Sequence, residues 1–148
     1  MNAHILYETD LHELDGKYGG AGVFKVIGEL EKNALQGDAK SLHRLIDLFS
    51  VSDGYVSEGL SVALAAIFEA DPAFVLENAY GLDGEKRDLL FKAILYENYY
   101  GELFENTYPP DFSEIKDLGK YSERFVGMYE YYLENPAHLE DWSVTPPE

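Results

Sequence analysis

Apolar residues along this chain recur at intervals of three and four, and no stretch alternates apolar with polar residues over the length of a strand. The pattern predicts an all-α fold of about six helices. Val23, Phe24, Ile27, Leu30, Ala34 and Leu35 share one face of a helix over 21–35, which Gly37 stops. Asp38 caps a second helix running to about Phe49, with Leu42, Leu45, Ile46, Leu48 and Phe49 on its apolar side. The third, within Tyr55–Pro72, is the most apolar: from Leu60 to Phe68 only Ser61 is polar. A helix that is apolar on nearly every side belongs at the centre of a protein. Gly59, Ser61, Ala63, Ala65 and Ala66 permit neighbouring helices to approach it closely.

Asp71 and Pro72 open a short fourth helix to about Tyr80, with Phe74, Val75 and Leu76 expected inside. Asp83 caps a fifth that ends near Tyr100 and carries Leu89, Leu90, Ala93 and Ile94 as its stripe. A sixth follows Asp111, whose spacing to Glu114 is that of a capping box, and Gly119 divides it. Its stronger half, Tyr121 to Asn135, bears Phe125, Met128, Tyr129, Tyr132 and Leu133. Residues 1–20 read as an irregular arm or a short helix, followed by loops at Asp15-Gly16 and Gly19-Gly20. Residues 136–148 read as a tail whose Trp142 docks back while its end frays. The expectation is one domain spanning 1–148, with short connections that set sequential helices antiparallel.

Charge narrows the functions open to such a bundle. Asp and Glu number 28 against 11 Lys and Arg, a net charge of −17. That balance argues against nucleic acid and against anionic membrane surfaces, both of which need cations on the protein. It suits a basic partner, divalent cations or solubility alone. No cysteine is present, which excludes disulfides, thiolate metal sites and cysteine nucleophiles. The central apolar run is too short, and with Glu58 and Glu69 too charged at its ends, for a good membrane span. The first ten residues lack the basic and apolar regions of a signal peptide. A cytoplasmic location is the leading expectation; a periplasmic protein whose signal peptide has been removed would read the same.

Candidate chemistry is sparse, and no cofactor is implied. His4, Glu8, Asp10, His12, Glu13 and Asp15 form the densest set of metal-ligating types, and His4 and Glu8 stand four apart. A metal-dependent enzyme built on His4, Glu8 and His12 is the alternative reading, although the HExxH spacing is absent. His43 and Asp47, also four apart, have the spacing of an oriented imidazole. Gly16 to Gly22 is glycine-rich without the order of a phosphate loop, and no serine lies in a GxSxG context.

The stretch from Ala93 to Ile115 is the most distinctive. It has no Lys or Arg, and it interleaves acids with rings. Tyrosine offers rigid contact area with a polar tip, and carboxylates around it steer a cationic partner. Tyr96, Tyr99, Tyr100, Glu102, Glu105 and Tyr108 are therefore the candidate partner-binding residues. The leading expectation is non-catalytic binding of a basic protein through this surface. A structural subunit without a ligand, self-associating through its tyrosines, is the third.

Two resemblances accompany these residues. Asp53-Gly54 and Asp83-Gly84 open helices thirty residues apart, and in that register Leu60 meets Leu90, Ala63 meets Ala93, and Leu64 meets Ile94. Over roughly residues 38–100 this resembles HEAT-like helical repeats, which implies a helical stack that binds another macromolecule. In surface character the chain is similar to bacterial immunity and inhibitor proteins, which neutralise often basic toxins. That similarity implies a basic protein as partner.

Overall fold

Local capping explains most helix starts. In α1 (Ala3–Tyr7) the Asn2 side chain accepts the Ile5 N–H at 2.9 Å, and Asp10 does the same for α2 (Leu11–Leu35), taking the Glu13 N–H at 2.7 Å. Then come α3 (Ala39–Val51), α4 (Gly54–Ala70), α5 (Pro72–Ala79) and α6 (Gly84–Tyr100). Asp71 caps α5 through the Phe74 N–H, and Asp83 caps α6 through the Lys86 N–H. The computed structural model describes residues 1–100 and 113–148, and among them every regular element is helical. After the second boundary come α7 (Ser113–Lys116), a 3₁₀ turn over Gly119–Tyr121, α8 (Glu123–Glu134) and a second 3₁₀ turn over Pro136–Leu139. Gly119 takes a positive φ of 60°, which separates α7 from α8 as its position in the sequence suggests.

The fold is all-α. α4 lies at its centre, packed on α2, α3, α5 and α6. Leu60, Leu64, Ile67 and Phe68 of α4 are buried, as are all six residues of the thirty-residue register. Only Ser52 and Asp53 join α3 to α4, and the two helices pack against each other. Between α4 and α5 the chain bends by 115°, because a single non-helical residue, Asp71, separates them and Pro72 fixes the next first turn. Among the described residues no single helix is long and apolar enough to cross a membrane.

Three expectations change. Residues 1–20 are helical over most of their length, with Leu6 and Leu14 buried in the core. Their anchor is remote in sequence: Arg44 of α3 donates to the carbonyls of Leu6 at 2.9 Å and of Thr9. Tyr7 also bonds Asp38 and Ser41, so the Asp38 carboxylate serves this contact rather than capping α3. Phe24 and Leu35 are exposed rather than core, because α2 turns only Val23, Val26, Ile27, Leu30 and Ala34 inward along its second half. Phe24 lies across Gly59 of α4, where a Cβ would stand 2.4 Å from its ring.

The glycines near residue 20 bend a helix. Gly19 has φ 70° and ψ −177°, a conformation open in practice to glycine, and it divides α2. The bend brings Gly22 so close to Tyr18 that a Cβ there would sit 2.2 Å from the tyrosine Cβ. Gly28, by contrast, lies on an exposed helical turn with nothing within 4 Å of an added Cβ. Gly28→Ala should therefore stabilise by about 0.5–1 kcal/mol and Gly19→Ala should destabilise by about 1–3 kcal/mol. Urea unfolding of both variants checks the opposite signs.

Candidate functional site

α6 buries charge as well as apolar surface, and that charge holds the C-terminal segment. Lys92 is only 3% exposed. Its ammonium donates to the carbonyls of His138 at 3.1 Å, Val144 at 2.8 Å and Asp141. Three N–H bonds meet three acceptors, which satisfies the ion without a carboxylate in direct contact. Burial pushes the Lys92 pKa down, and Asp141 opposes the shift. One turn earlier, Asp88 accepts Arg87 Nε at 3.0 Å and a two-pronged contact from Arg124 at 3.1 and 3.0 Å. Arg124 also reaches the carbonyls of Pro146 and Pro147, and Arg87 binds Glu148. Residues 136–148, whose end was expected to fray, are thus strapped onto α6 and α8.

The strap places Trp142 at the edge of a groove. Its ring packs 6.4 Å from Phe49 and 5.5 Å from Tyr96, and Tyr96 stacks on Tyr100 at 4.8 Å, one helical turn away. This row of rings forms one wall. Asp53, just before α4, and Ser57, Glu58 and Ser61 of its first half form the other. Between them lies a space of about 870 Å³, open to solvent, into which Glu97 also reaches. Among the described residues lining it there is no Lys or Arg.

Electrostatics follow from this geometry. Half-buried Glu97 has its pKa raised, first by desolvation and then by the like charge of Glu58; a hydrogen bond from Ser61 opposes the shift. Tyr100 has its phenol pushed up to about 12 by desolvation and by its hydrogen bond to Glu140, 2.9 Å away. The groove is therefore a partly dry, anionic space with π faces along one side. Such a surface favours cations over anions or neutral ligands.

Of the residues singled out in the sequence, Tyr96 and Tyr100 line the groove. Tyr99 packs edge-on against Tyr100 at 4.6 Å and does not line it. Glu102, Glu105 and Tyr108 lie outside the described residues. Tyr131 packs against the core and bonds His138 at 2.7 Å. His43 bonds Asn78 at 3.2 Å and Asp47 pairs with Lys86 at 2.8 Å, so the two form no dyad. His4 and Glu8 pair with each other at 2.9 Å on the surface, and His12 faces a separate hollow beside Asp10 and Asp15. Among the described residues no three His, Asp or Glu side chains gather as a metal site would require.

The α4 wall was not anticipated as part of a site, although Asp53 and Glu58 break the apolar pattern where that helix begins. Asp88 and Lys92 carried a clearer sign: opposite charges four apart, flanking the apolar run Leu89, Leu90 and Phe91, imply dedicated partners if that turn is buried. Comparison with known proteins finds no family model, no curated protein and no solved structure that matches the chain.

Proposed function

We propose that this chain is a non-catalytic protein-binding module whose acidic, tyrosine-lined groove receives a basic partner, in the manner of an immunity or inhibitor protein. The observation that carries the reading is the groove itself: carboxylates of α4 and α6 line it together with a row of contacting rings, with no Lys or Arg in its described lining. Aromatic area supplies contact energy at low entropy cost, and the surrounding charge accelerates encounter. The net charge of −17 extends that field over the molecule. The pair α3–α4, with α6 packed on both, would then be a HEAT-like scaffold presenting the groove.

Glu58 is exposed at the rim and separates this reading from acidity that serves solubility alone. In affinity capture from the source cell's lysate, the wild-type chain should retain a basic protein that elutes at moderate salt. Glu58→Lys should slow association about tenfold at low salt and flatten its salt dependence. Equal retention by the wild type and Glu58→Lys would remove the groove from the interface.

A further inference from the structure

Glu97 differs from Asp88, Lys92 and Arg44 in what surrounds it. Asp88 has two guanidiniums, Lys92 has three carbonyls, and Arg44 has two carbonyls. Among the described residues only the Ser61 hydroxyl favours the charged form of Glu97, and the like charge of Glu58 opposes it. No cation pairs with it among the described residues. A half-desolvated carboxylate next to a like charge weakens the folded state, and a cationic guest would relieve that cost.

The rings beside it are not equivalent as cation receptors. Trp142 already has the Lys92 ammonium 5.3 Å from its ring. No lysine or arginine stands over Tyr96 or Tyr100 among the described residues, and both line the same space as Glu97. A guest must therefore bring a positive charge to Glu97 and a flat or apolar surface to two tyrosine rings. Guanidinium meets both needs: it is planar, weakly hydrated, stacks on aromatic faces and engages a carboxylate with two parallel N–H bonds. Ammonium keeps a tighter water shell, which a partly dry groove would have to strip.

We infer, building on the binding function proposed above, that the groove is an arginine pocket: the basic partner anchors through one arginine side chain that pairs with Glu97 and lies against Tyr96 and Tyr100. The rest of the partner's charge then contributes to encounter rather than to the anchor, so loss of this one contact shows mainly in the dissociation rate.

The test uses the full chain, labelled with ¹⁵N, and three short glycine–serine peptides carrying two arginines, two lysines or two citrullines. At low salt the arginine peptide should shift the Trp142 indole N–H and the backbone amides of Ser61 and Glu97. The lysine peptide should bind several-fold more weakly, and the neutral citrulline peptide should leave these signals in place. Glu97→Gln should weaken the arginine peptide about tenfold or more while melting no lower than the wild type, since it removes a desolvated charge. A merely structural role for Glu97 would instead lower the melting temperature and spare the peptide.

Citrulline binding equal to arginine, or an unweakened Glu97→Gln complex, overturns the arginine pocket. In that case, shifts induced elsewhere by both cationic peptides would leave the basic-partner reading standing. No shift anywhere with either cationic peptide would end both. Should Glu97→Gln fail to fold, the arginine and citrulline peptides on the wild-type chain still decide.

Discussion

Asp88→Ala is expected to be the most destabilising single substitution, with a loss of about 3–5 kcal/mol and a fall in melting temperature on the order of 10 °C. The reason lies in what remains rather than in what is removed. Asp88 is buried and holds Arg87 and Arg124 together. Without it, two guanidiniums face each other across the α6–α8 junction with only carbonyls and Glu148 of the strap to engage. Leaving buried charges uncompensated costs far more than the net contribution of the intact pair. Two comparisons isolate the cause. Asp88→Asn keeps the shape and an acceptor, and should lose less. Arg124→Met combined with Asp88→Leu should recover part of the loss, because an apolar replacement of a buried pair is often near neutral. A melt of Asp88→Ala within about 1 kcal/mol of the wild type would mean that the network does not form.

Much of the fold was readable because its determinants are local. Asp71 with Pro72, Asp83, and Gly37 at φ 94° act within one turn of their helices, and each boundary falls where those residues place it. The apolar run of α4 identified the central helix through its pattern alone. Local reading failed where a distant partner decides the outcome. Residues 11–18 have little intrinsic preference for helix, yet Leu14 is buried and the preceding turn is tied to Arg44, more than thirty residues away. Tertiary contact outweighs propensity there. Phe24 satisfied the spacing of the apolar face but shelters Gly59 from outside the core, a distinction that periodicity does not make.

The candidate site divides in the same way. Tyr96, Glu97 and Tyr100 come from one helix and stood out in the sequence as rings interleaved with acids. The opposite wall comes from α4 and the edge from Trp142, some forty residues to either side. What brings Trp142 in is a set of backbone carbonyls on Lys92 and Arg124. Carbonyls are common to every residue, so their use leaves no trace in a sequence. The cations do leave one, since a lysine on a buried turn must find acceptors somewhere.

Lys92→Met tests that dependence and should act on the strap before the core. Methionine keeps the length of the stem and its packing against Tyr132 and Trp142, and removes the three donors. The carbonyls of residues 138, 141 and 144 would then lose their charged donor and keep only the Asp141 N–H, the Val144 N–H and the Tyr132 hydroxyl, at about 1.5–3 kcal/mol for each charge-assisted bond lost. The strap has a cheaper alternative, which is to leave and take its hydrogen bonds from water. The total loss is therefore capped by what docking of the strap is worth, and about 2–4 kcal/mol is expected. Leu139, buried on the core, and the Arg124 contacts oppose full release. Trp142 emission should shift to the red, and proteases should cut within 136–148 while residues before Asn135 stay protected. The same variant should bind a basic partner more weakly although Lys92 does not line the groove, because its edge has moved. Unchanged Trp142 emission together with a protected C-terminal segment would show that the strap is held without the ammonium, by Leu139 and the arginines alone.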